Sequence, residues 1–176
     1  MNPFRIRIQP CDQTHLPVLL EVARQSYVAH YTHLWHDNGE WYMERCFTRP
    51  VLENELEQPG SLFFLVSVNQ EPAGFLKLND GKPLKEQPAA DCLEVERLYL
   101  LETAKGKGAG KAAMDFSLAL ARERNRKIVW LKTMDSSPAI GFYEACGFRR
   151  CGTETLPFEA MKPEYRGMYV MRREVG

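Results

Sequence analysis

Apolar residues recur along the chain with two periodicities, one typical of strands and one typical of helices. They alternate with arginines over Met1–Gln9, which predicts a first strand. Helix-spaced apolar residues follow the capping candidates Asp12 and Thr14, so we expect a helix over about residues 13–29. The chain therefore opens with one strand and one long helix.

The next segment predicts two short helices and a hairpin. Two short helices are predicted, over Asn38–Phe47 and Pro50–Gln58. Pro50 lies in the first turn of the second helix, where a backbone N–H would have no partner within the helix. The apolar runs Ser61–Val68 and Ala73–Leu78, separated by turn residues, predict an antiparallel hairpin. Asn79–Asp91 is polar and contains glycine and proline, which favours a loop.

Alternating strands and helices, then two closing strands, complete the pattern. The predicted elements are the strands Cys92–Leu101 and Lys127–Thr133, the helices Ala109–Asn125 and Pro138–Cys146, and tail strands around Phe148–Thr155 and Gly167–Glu174. Antiparallel strands combined with strand-to-helix crossovers predict an α/β (α+β) fold, a mixed sheet covered by helices on both faces.

Composition narrows the class of protein. The 176 residues fit one domain, predicted to span 1–176 and able to bury a core without disulfides. With 23 basic and 23 acidic residues, the chain lacks the strongly basic profile of a general nucleic-acid binder. Five cysteines without a CxxC pair argue against a disulfide framework and a cysteine-ligated zinc site. No signal-peptide core or membrane-length apolar window is visible, so we expect a cytoplasmic protein without a membrane partner.

The segment 98–113, LYLLETAKGKGAGKAA, carries the strongest chemical signal. A strand ends, a glycine-rich loop follows, and a helix begins. Unpaired N–H groups and the helix dipole make such a helix start a site for phosphate or pyrophosphate. The loop holds three glycines and three lysines, namely Gly106, Gly108, Gly110, Lys105, Lys107 and Lys111.

Two common phosphate loops do not fit this segment. A Walker A loop would need glycine in place of Lys105 and serine or threonine in place of Ala112. A dinucleotide fingerprint starting at Gly106 would need glycine in place of Lys111. The spacing that remains is (Arg/Gln)-x-x-Gly-x-(Gly/Ala) over 105–110, and a nucleotide-binding module becomes a weak alternative.

In its strand–loop–helix setting, this spacing resembles motif A of the GNAT superfamily of acetyl-CoA-dependent N-acetyltransferases. A second segment, 136–148 (SSPAIGFYEACGF), resembles the superfamily pattern N-x-x-A-x-x-(F/Y)-Y-x-x-x-G-F. The order of elements matches over essentially the whole chain. The stretches LEVERLYLLETAKGKGAG, FYEACGF and MYVMRREV are further similar to PaiA-type spermidine/spermine acetyltransferases of bacteria. The resemblance implies a mostly antiparallel sheet, splayed between its middle strands.

The resemblance also implies where acetyl-CoA would bind. The expected cofactor contacts are Leu98, Tyr99 and Leu100, whose backbone would pair with pantetheine, then Lys105, Gly106, Lys107, Gly108, Ala109, Gly110 and Lys111, and finally Ser136, Ser137, Pro138 and Tyr143. Two positions depart from the family pattern. Lys105 stands where arginine or glutamine is usual, and Ser136 replaces an asparagine that contacts the pantetheine arm.

Acetyl transfer to an amine needs a neutral nucleophile, donors for the oxyanion and a proton for the leaving thiolate. The resemblance assigns the general acid to Tyr143 and the base to Glu96, nine positions before Lys105. Glu94 shares the strand face of Glu96 and becomes a substrate contact. The non-catalytic interpretation of Tyr143 is a tyrosine that only packs in the core. The non-catalytic interpretation of Glu94 and Glu96 is a strand face that is exposed to solvent.

Three histidines occur between the first two helices, at His30, His33 and His36. Their spacing is ordinary for a helix end, and we expect no metal. In this fold the segment would wall the acceptor site, where Tyr31 and Trp35 could offer cation–π contact to an ammonium group.

Together these features predict an acetyl-CoA-dependent N-acetyltransferase that acetylates a primary amine by direct attack in a ternary complex. Asp91, Glu94 and Glu96, with no basic residue before Arg97, agree with a cationic acceptor such as spermidine or spermine. Acetylation of a protein, peptide or antibiotic-like amine stays open, as does a non-catalytic CoA-binding regulator. A homodimer is one arrangement that the resemblance suggests.

Overall fold

Seven strands form one sheet in the computed structural model, which describes residues 1–176. The strands are β1 (Ile6–Pro10), β2 (Ser61–Val68), β3 (Glu71–Asp80), β4 (Cys92–Leu100), β5 (Ile128–Met134), β6 (Arg149–Thr155) and β7 (Gly167–Glu174). Their spatial order is β1-β2-β3-β4-β5-β7-β6. Only the β4–β5 pair is parallel, so the predicted mixed and mostly antiparallel sheet is confirmed.

Helices cover both faces of this sheet. They are α1 (Leu16–Tyr31), α2 (Glu40–Cys46), α3 (Arg49–Glu57), α4 (Ala109–Glu123) and α5 (Ile140–Ala145). One apolar core lies between the sheet and α4, and a second lies between the opposite face and α1 to α3. None of the helices has the length and apolarity that crossing a membrane requires.

Local sequence explains where the elements begin and turn. The Asp12 carboxylate accepts a hydrogen bond from the Thr14 N–H at 2.8 Å, as its predicted capping role requires. A 3-10 turn over Gln13–His15 follows the cap, so the α-helix begins at Leu16, later than predicted. β2 and β3 join through Asn69 and Gln70, both with positive φ, which is the turn geometry that matches the twist of a tight hairpin.

The middle of the sheet opens into a fork. β4 and β5 pair in parallel from Cys92↔Ile128 only as far as Val95↔Leu131, and beyond that point the two strands separate. The predicted splay is therefore confirmed. It leaves the second half of β4 without a neighbour on the β5 side, which creates an open strand edge inside the fold.

A β-bulge in β4 was not predicted. The β3–β4 register pairs Lys77 with Arg97 and then Leu78 with Val95, so Glu96 is the extra residue. An extra residue shifts the alternation of the strand by one position. Arg97 therefore joins Glu94 on the α1 to α3 side, where strict alternation would put it on the opposite side.

The predicted loop 79–91 is partly structured. β3 continues to Asp80, and residues Ala89–Asp91 form a 3-10 turn. Arg126 explains the longer strand, because its guanidinium donates to both carboxylate oxygens of Asp80, at 2.6 and 3.1 Å. This long-range bond holds a segment whose local composition favours a loop.

Candidate active site

A cavity of about 370 Å³ opens where β4 and β5 separate. Its walls come from α1, α2, β4, β5, α5 and the connection between β6 and β7. Eight residues that the sequence proposed for the site line it together, namely Tyr31, Trp35, Glu94, Glu96, Leu98, Tyr99, Ser137 and Tyr143. Leu100, the loop 105–111, Ser136 and Pro138 are not among its lining residues.

The free edge of β4 offers backbone groups to a ligand. The Leu101 N–H donates to the Ala73 carbonyl of β3 at 2.8 Å. Because backbone groups alternate in direction along a strand, those of Leu98 and Leu100 point away from β3, into the fork. The Leu100 carbonyl accepts a hydrogen bond from Nε2 of His30 at 3.1 Å, which leaves the Leu98 groups and the Leu100 N–H on this edge.

The glycine loop forms a cradle of N–H groups at the start of α4. Gly106 and Gly108 have φ values of +72° and +83°, a conformation that favours glycine. Five backbone N–H groups of this segment have no hydrogen-bond acceptor within the chain. They belong to Gly106 and to the four consecutive residues Gly108, Ala109, Gly110 and Lys111. Together with the dipole of a 15-residue helix, these groups fit a phosphate or pyrophosphate.

The three loop lysines differ in their partners. Nζ of Lys111 lies 2.5 Å from the Asp115 carboxylate, and this bond raises the pKa of Lys111. Nζ of Lys107 lies 5.3 Å from the centre of the Phe4 ring. Lys105 is exposed, and neither Lys105 nor Lys107 forms an ion pair within the chain, so both charges are available to an anion.

Tyr143 is carried by the short helix α5, which packs closely against the start of α4. A Cβ atom added at Gly110 would lie 3.3 Å from Cζ of Phe142, so the glycine permits this approach. Burial raises the pKa of the Tyr143 phenol, and the neighbouring groups of Tyr31 and Cys146 act in the same direction. The phenol therefore stays protonated at neutral pH. Its hydroxyl forms no hydrogen bond within the chain.

The residues before α5 have unequal positions. The Ser137 hydroxyl accepts a hydrogen bond from the Ala139 N–H at 3.1 Å and lines the cavity. Ser136 and Pro138 are exposed on the outer side of the turn.

Glu96, itself exposed, belongs to a network of alternating charges whose two cations, Lys77 and Arg97, are buried. Its Oε2 lies 2.5 Å from Nζ of Lys77 and 3.8 Å from Nε of Arg97. Behind it, Glu55 of α3 bridges the same two cations, at 3.3 Å to Lys77 and 2.9 Å to Arg97. Burial favours a higher pKa for Glu96, but the charges of Arg97 and Lys77 outweigh it and hold the pKa below its usual value. Glu96 is thus a stabilised anion and a weak base.

Glu94 lies in a different environment, although it is only two positions away. It is 7% exposed, and the Asn79 amide donates to its Oε2 at 2.7 Å. No cationic side chain forms an ion pair with it. Burial raises the pKa of Glu94, and the charge of Glu96 adds to the shift. Glu94 is therefore the stronger base of the two carboxylates.

Tyr31 and Trp35 lie at different depths in the cavity wall. The Trp35 ring is 1% exposed, and its Nε1 donates to the Tyr27 hydroxyl at 2.7 Å. The half-buried Tyr31 ring packs 5.2 Å from the Tyr99 ring. Tyr31 can contact a ligand directly, whereas Trp35 forms the inner boundary of the cavity.

The sequence did not predict that the connection between β6 and β7 forms one wall of the cavity. The Trp35↔Met161 bridge and two backbone hydrogen bonds, from His36 to Ala160 and from Lys162 to Leu34, hold the β6–β7 connection against the end of α1. This connection and its surroundings add the lining residues Leu156, Phe158, Met161 and Met168. No motif marks these residues, because their role depends on a contact between distant parts of the chain.

The three histidines do not converge. His30 contacts the β4 edge, and the His33 ring meets the Tyr165 ring edge-on at 5.4 Å. No group of three or more His, Cys, Asp or Glu side chains is arranged to hold a metal ion.

Comparison with known proteins agrees with this geometry. Residues 20–148 match the family model described as the acetyltransferase (GNAT) family. An uncharacterized N-acetyltransferase in the pepI 3' region of Lactobacillus delbrueckii subsp. lactis is 27% identical over 150 residues, which covers 82% of this chain and 85% of that protein.

Solved structures share the fold. The PaiA N-acetyltransferase of Thermoplasma acidophilum in complex with coenzyme A superposes with a TM-score of 0.76 and 20% identity, covering 97% of this chain and 99% of that one. The ribosomal-protein-S18-alanine N-acetyltransferase of Escherichia coli gives a TM-score of 0.70 and 15% identity, covering 98% and 95%. With the family model spanning most of the sequence, this chain belongs to the GNAT family of acetyltransferases, which use acetyl-CoA as cosubstrate.

Proposed function

We propose that this protein, acting as one domain over residues 1–176, transfers the acetyl group of acetyl-CoA directly to a primary amine bound in the cavity. The observation that carries the proposal is the presence of three features along β4 and at the starts of the two helices beside its free edge. These are the N–H cradle of the glycine loop, the protonated phenol of Tyr143 and the carboxylates of Glu94 and Glu96. The PaiA structure in complex with coenzyme A supports the assignment by its similar fold.

The residues present fit acetyl-CoA. The unpaired N–H groups of the loop and the charge of Lys105 suit its pyrophosphate, and the free backbone groups of Leu98 and Leu100 suit the amides of pantetheine. Acetyl-CoA supplies a thioester, so that a bond forms between the amine nitrogen and the acetyl carbon while the carbon–sulfur bond breaks. The leaving sulfur gains one proton, and the nitrogen loses one.

Tyr143 is proposed as the donor of the proton to sulfur. A general acid must hold its proton at neutral pH, and the raised pKa of its buried phenol meets that requirement. Its hydroxyl has no competing acceptor within the chain.

For the proton that leaves nitrogen, we propose Glu94 as the acceptor, while Glu96 stays ionised in its ion pair with Lys77. The sequence suggested the reverse assignment. The pKa directions support Glu94, because its pKa is raised while the ion pair with Lys77 lowers that of Glu96. A base with a pKa closer to the working pH removes a proton more effectively.

Spermidine and spermine remain the acceptors that the sequence predicts, while the family as such admits small-molecule and peptide amines. A cytoplasmic location and a homodimer also remain predictions of the sequence. Cell fractionation and light scattering are the measurements that address them.

The decisive experiment is a thiol-release assay with acetyl-CoA and a panel of amines, combined with calorimetry of CoA binding. We expect CoA to bind and at least one primary amine to release thiol in a one-to-one ratio with acetylated product. CoA binding without turnover would instead support the non-catalytic regulator. Absence of both binding and turnover would contradict the proposed function.

A further inference from the structure

The charges that face the cavity restrict its acceptor, an inference that rests on the proposed function. Four charged side chains line the cavity, namely Arg45, Glu94, Glu96 and Lys132. The rest of the wall is mostly apolar or aromatic, since sixteen of the 22 lining residues are hydrophobic. The number of positive charges that the cavity can accept depends on which of these four groups are already compensated.

Three of the four charged groups add no free negative charge. Glu96 shares Lys77 and Arg97 with Glu55, which makes a neutral group of two cations and two carboxylates. Lys132 pairs with Glu154 at 2.7 Å. Arg45 forms no ion pair, and its guanidinium lies 5.3 Å from the centre of the Trp41 ring, so it brings a positive charge to the wall. Glu94 alone remains as an unpaired anion.

Asp91 adds nothing to this balance, although the sequence grouped it with the two glutamates. Its carboxylate pairs with Nζ of Lys127 at 3.0 Å, and it does not line the cavity. The acidic run that favoured a polyamine is therefore divided in three dimensions among separate partners. A chain of several ammonium groups would find one unpaired carboxylate and one opposing guanidinium, and a buried ammonium without a partner is strongly disfavoured.

The remaining wall suits an apolar group. Tyr42 stacks on Tyr27 at 4.8 Å between ring centres, and Phe158 packs 5.2 Å from Trp41. Burial raises the pKa values of Tyr31 and Tyr42, so their phenols are neutral at physiological pH. Three methionines, Met134, Met161 and Met168, complete a surface that can adapt to the shape of a ligand.

We propose that the acceptor is a small primary monoamine that carries an aromatic or other bulky apolar group, with its single ammonium at Glu94 and its apolar group against the wall of aromatic and methionine side chains. Aromatic faces stabilise the ammonium before it loses its proton, and the apolar group gains from leaving water. This proposal goes beyond the general amine and opposes the polyamine.

The test compares kcat/KM for 2-phenylethylamine, spermidine and a short peptide with a free N-terminus, at saturating acetyl-CoA. We expect a value for 2-phenylethylamine at least tenfold above the other two. A higher value for spermidine or for the peptide would overturn the proposed acceptor class while leaving the acetyltransferase function intact. Turnover of none of the amines counts against the proposed function instead.

Two further measurements keep the acceptor class testable on its own. Calorimetry with CoA-saturated protein compares the binding of 2-phenylethylamine and spermidine without requiring turnover, and tighter binding of spermidine would overturn the proposal. The exposed Arg45 provides a charge-reversal variant, Arg45→Glu, which adds an acid to the wall. We expect it to raise the ratio of kcat/KM for spermidine to that for 2-phenylethylamine at least fivefold, whereas a constant ratio contradicts the charge argument.

Discussion

The Nζ atom of Lys77 on β3 lies 2.5 Å from Oε2 of Glu96, the bulged residue of β4. This ion pair gives Glu96 a different environment from Glu94 two positions earlier, whose carboxylate has an amide partner and a raised pKa. One strand thus presents two glutamates to the same cavity with opposite pKa shifts. Pairs of this kind are how active sites separate a base from a permanently charged group.

The pH dependence of the reaction will identify the base. Since a raised carboxylate pKa moves ionisation upward, activity should increase as pH rises through the pKa of Glu94 and fall below it. We expect Glu94→Gln to lower kcat/KM about 100-fold and to remove this acidic limb from the pH–rate profile. Glu96→Gln should cost less than about tenfold and keep the limb. The opposite order of effects would return the role of base to Glu96.

Tyr143→Phe removes the proposed proton donor and keeps the ring. We expect kcat to fall more than about tenfold, with little change in KM for acetyl-CoA, because the phenol acts on the leaving sulfur and the binding contacts stay. Steady-state kinetics with acetyl-CoA as the varied substrate checks this. Tyr169→Phe, on β7, removes a phenol that does not line the cavity and should retain wild-type kcat. Equal kcat in Tyr143→Phe and the wild type would exclude Tyr143 as the acid.

The glycine loop should be sensitive to a single methyl group. Gly106→Ala places a side chain at φ +72°, where L residues are strained by about 1 kcal/mol, although no atom lies within 4 Å of the new Cβ. We expect the loop to relax away from its cradle geometry and the Kd for CoA to rise about tenfold, as measured by calorimetry.

Gly141→Ala is the matched control for this loop variant. Its Cβ also meets nothing within 4 Å, but its φ is not positive, so CoA affinity should be unchanged. Equal Kd values for the two variants would show that the conformation of Gly106 does not support the anion site.

The charge network around the buried Lys77 and Arg97 should contribute strongly to the free energy of unfolding. Glu55→Gln leaves Lys77 and Arg97, which are 4% and 7% exposed, with Glu96 as their only carboxylate. Breaking a buried ion network in this way typically costs about 3–5 kcal/mol, which thermal and urea unfolding can measure. Glu53→Gln makes the same change at an exposed position of α3 and should shift stability by less than about 0.5 kcal/mol. If Glu55→Gln lowered the free energy of unfolding no more than Glu53→Gln does, the network would contribute little to stability.

Most elements of the fold could be predicted because their signals are local. The capping role of Asp12, the hairpin and the glycine loop depend on residues that are adjacent or a few positions apart. The splay was inferred through family resemblance, since no local pattern shows that β4 and β5 stop pairing after Val95. The limits of β3 and α1 differed from prediction for two reasons. Arg126 holds Asp80 at the end of β3, and a 3-10 turn precedes α1, and neither feature is visible in the spacing of apolar residues.

The sequence by itself determined the order of strands and helices and the N–H cradle for an anion, because both follow from neighbouring residues. Family resemblance then singled out Tyr143 and Glu96 as candidate site residues. Only the tertiary structure decided which partners surround Glu94 and Glu96 and in which direction the pKa of each carboxylate shifts. Arg97 and Glu55 are 42 positions apart, and the Glu96 bulge that turns Arg97 toward the α3 side is invisible in the pattern of the strand. Burial and ion pairing set a carboxylate's pKa, and both arise when distant segments meet.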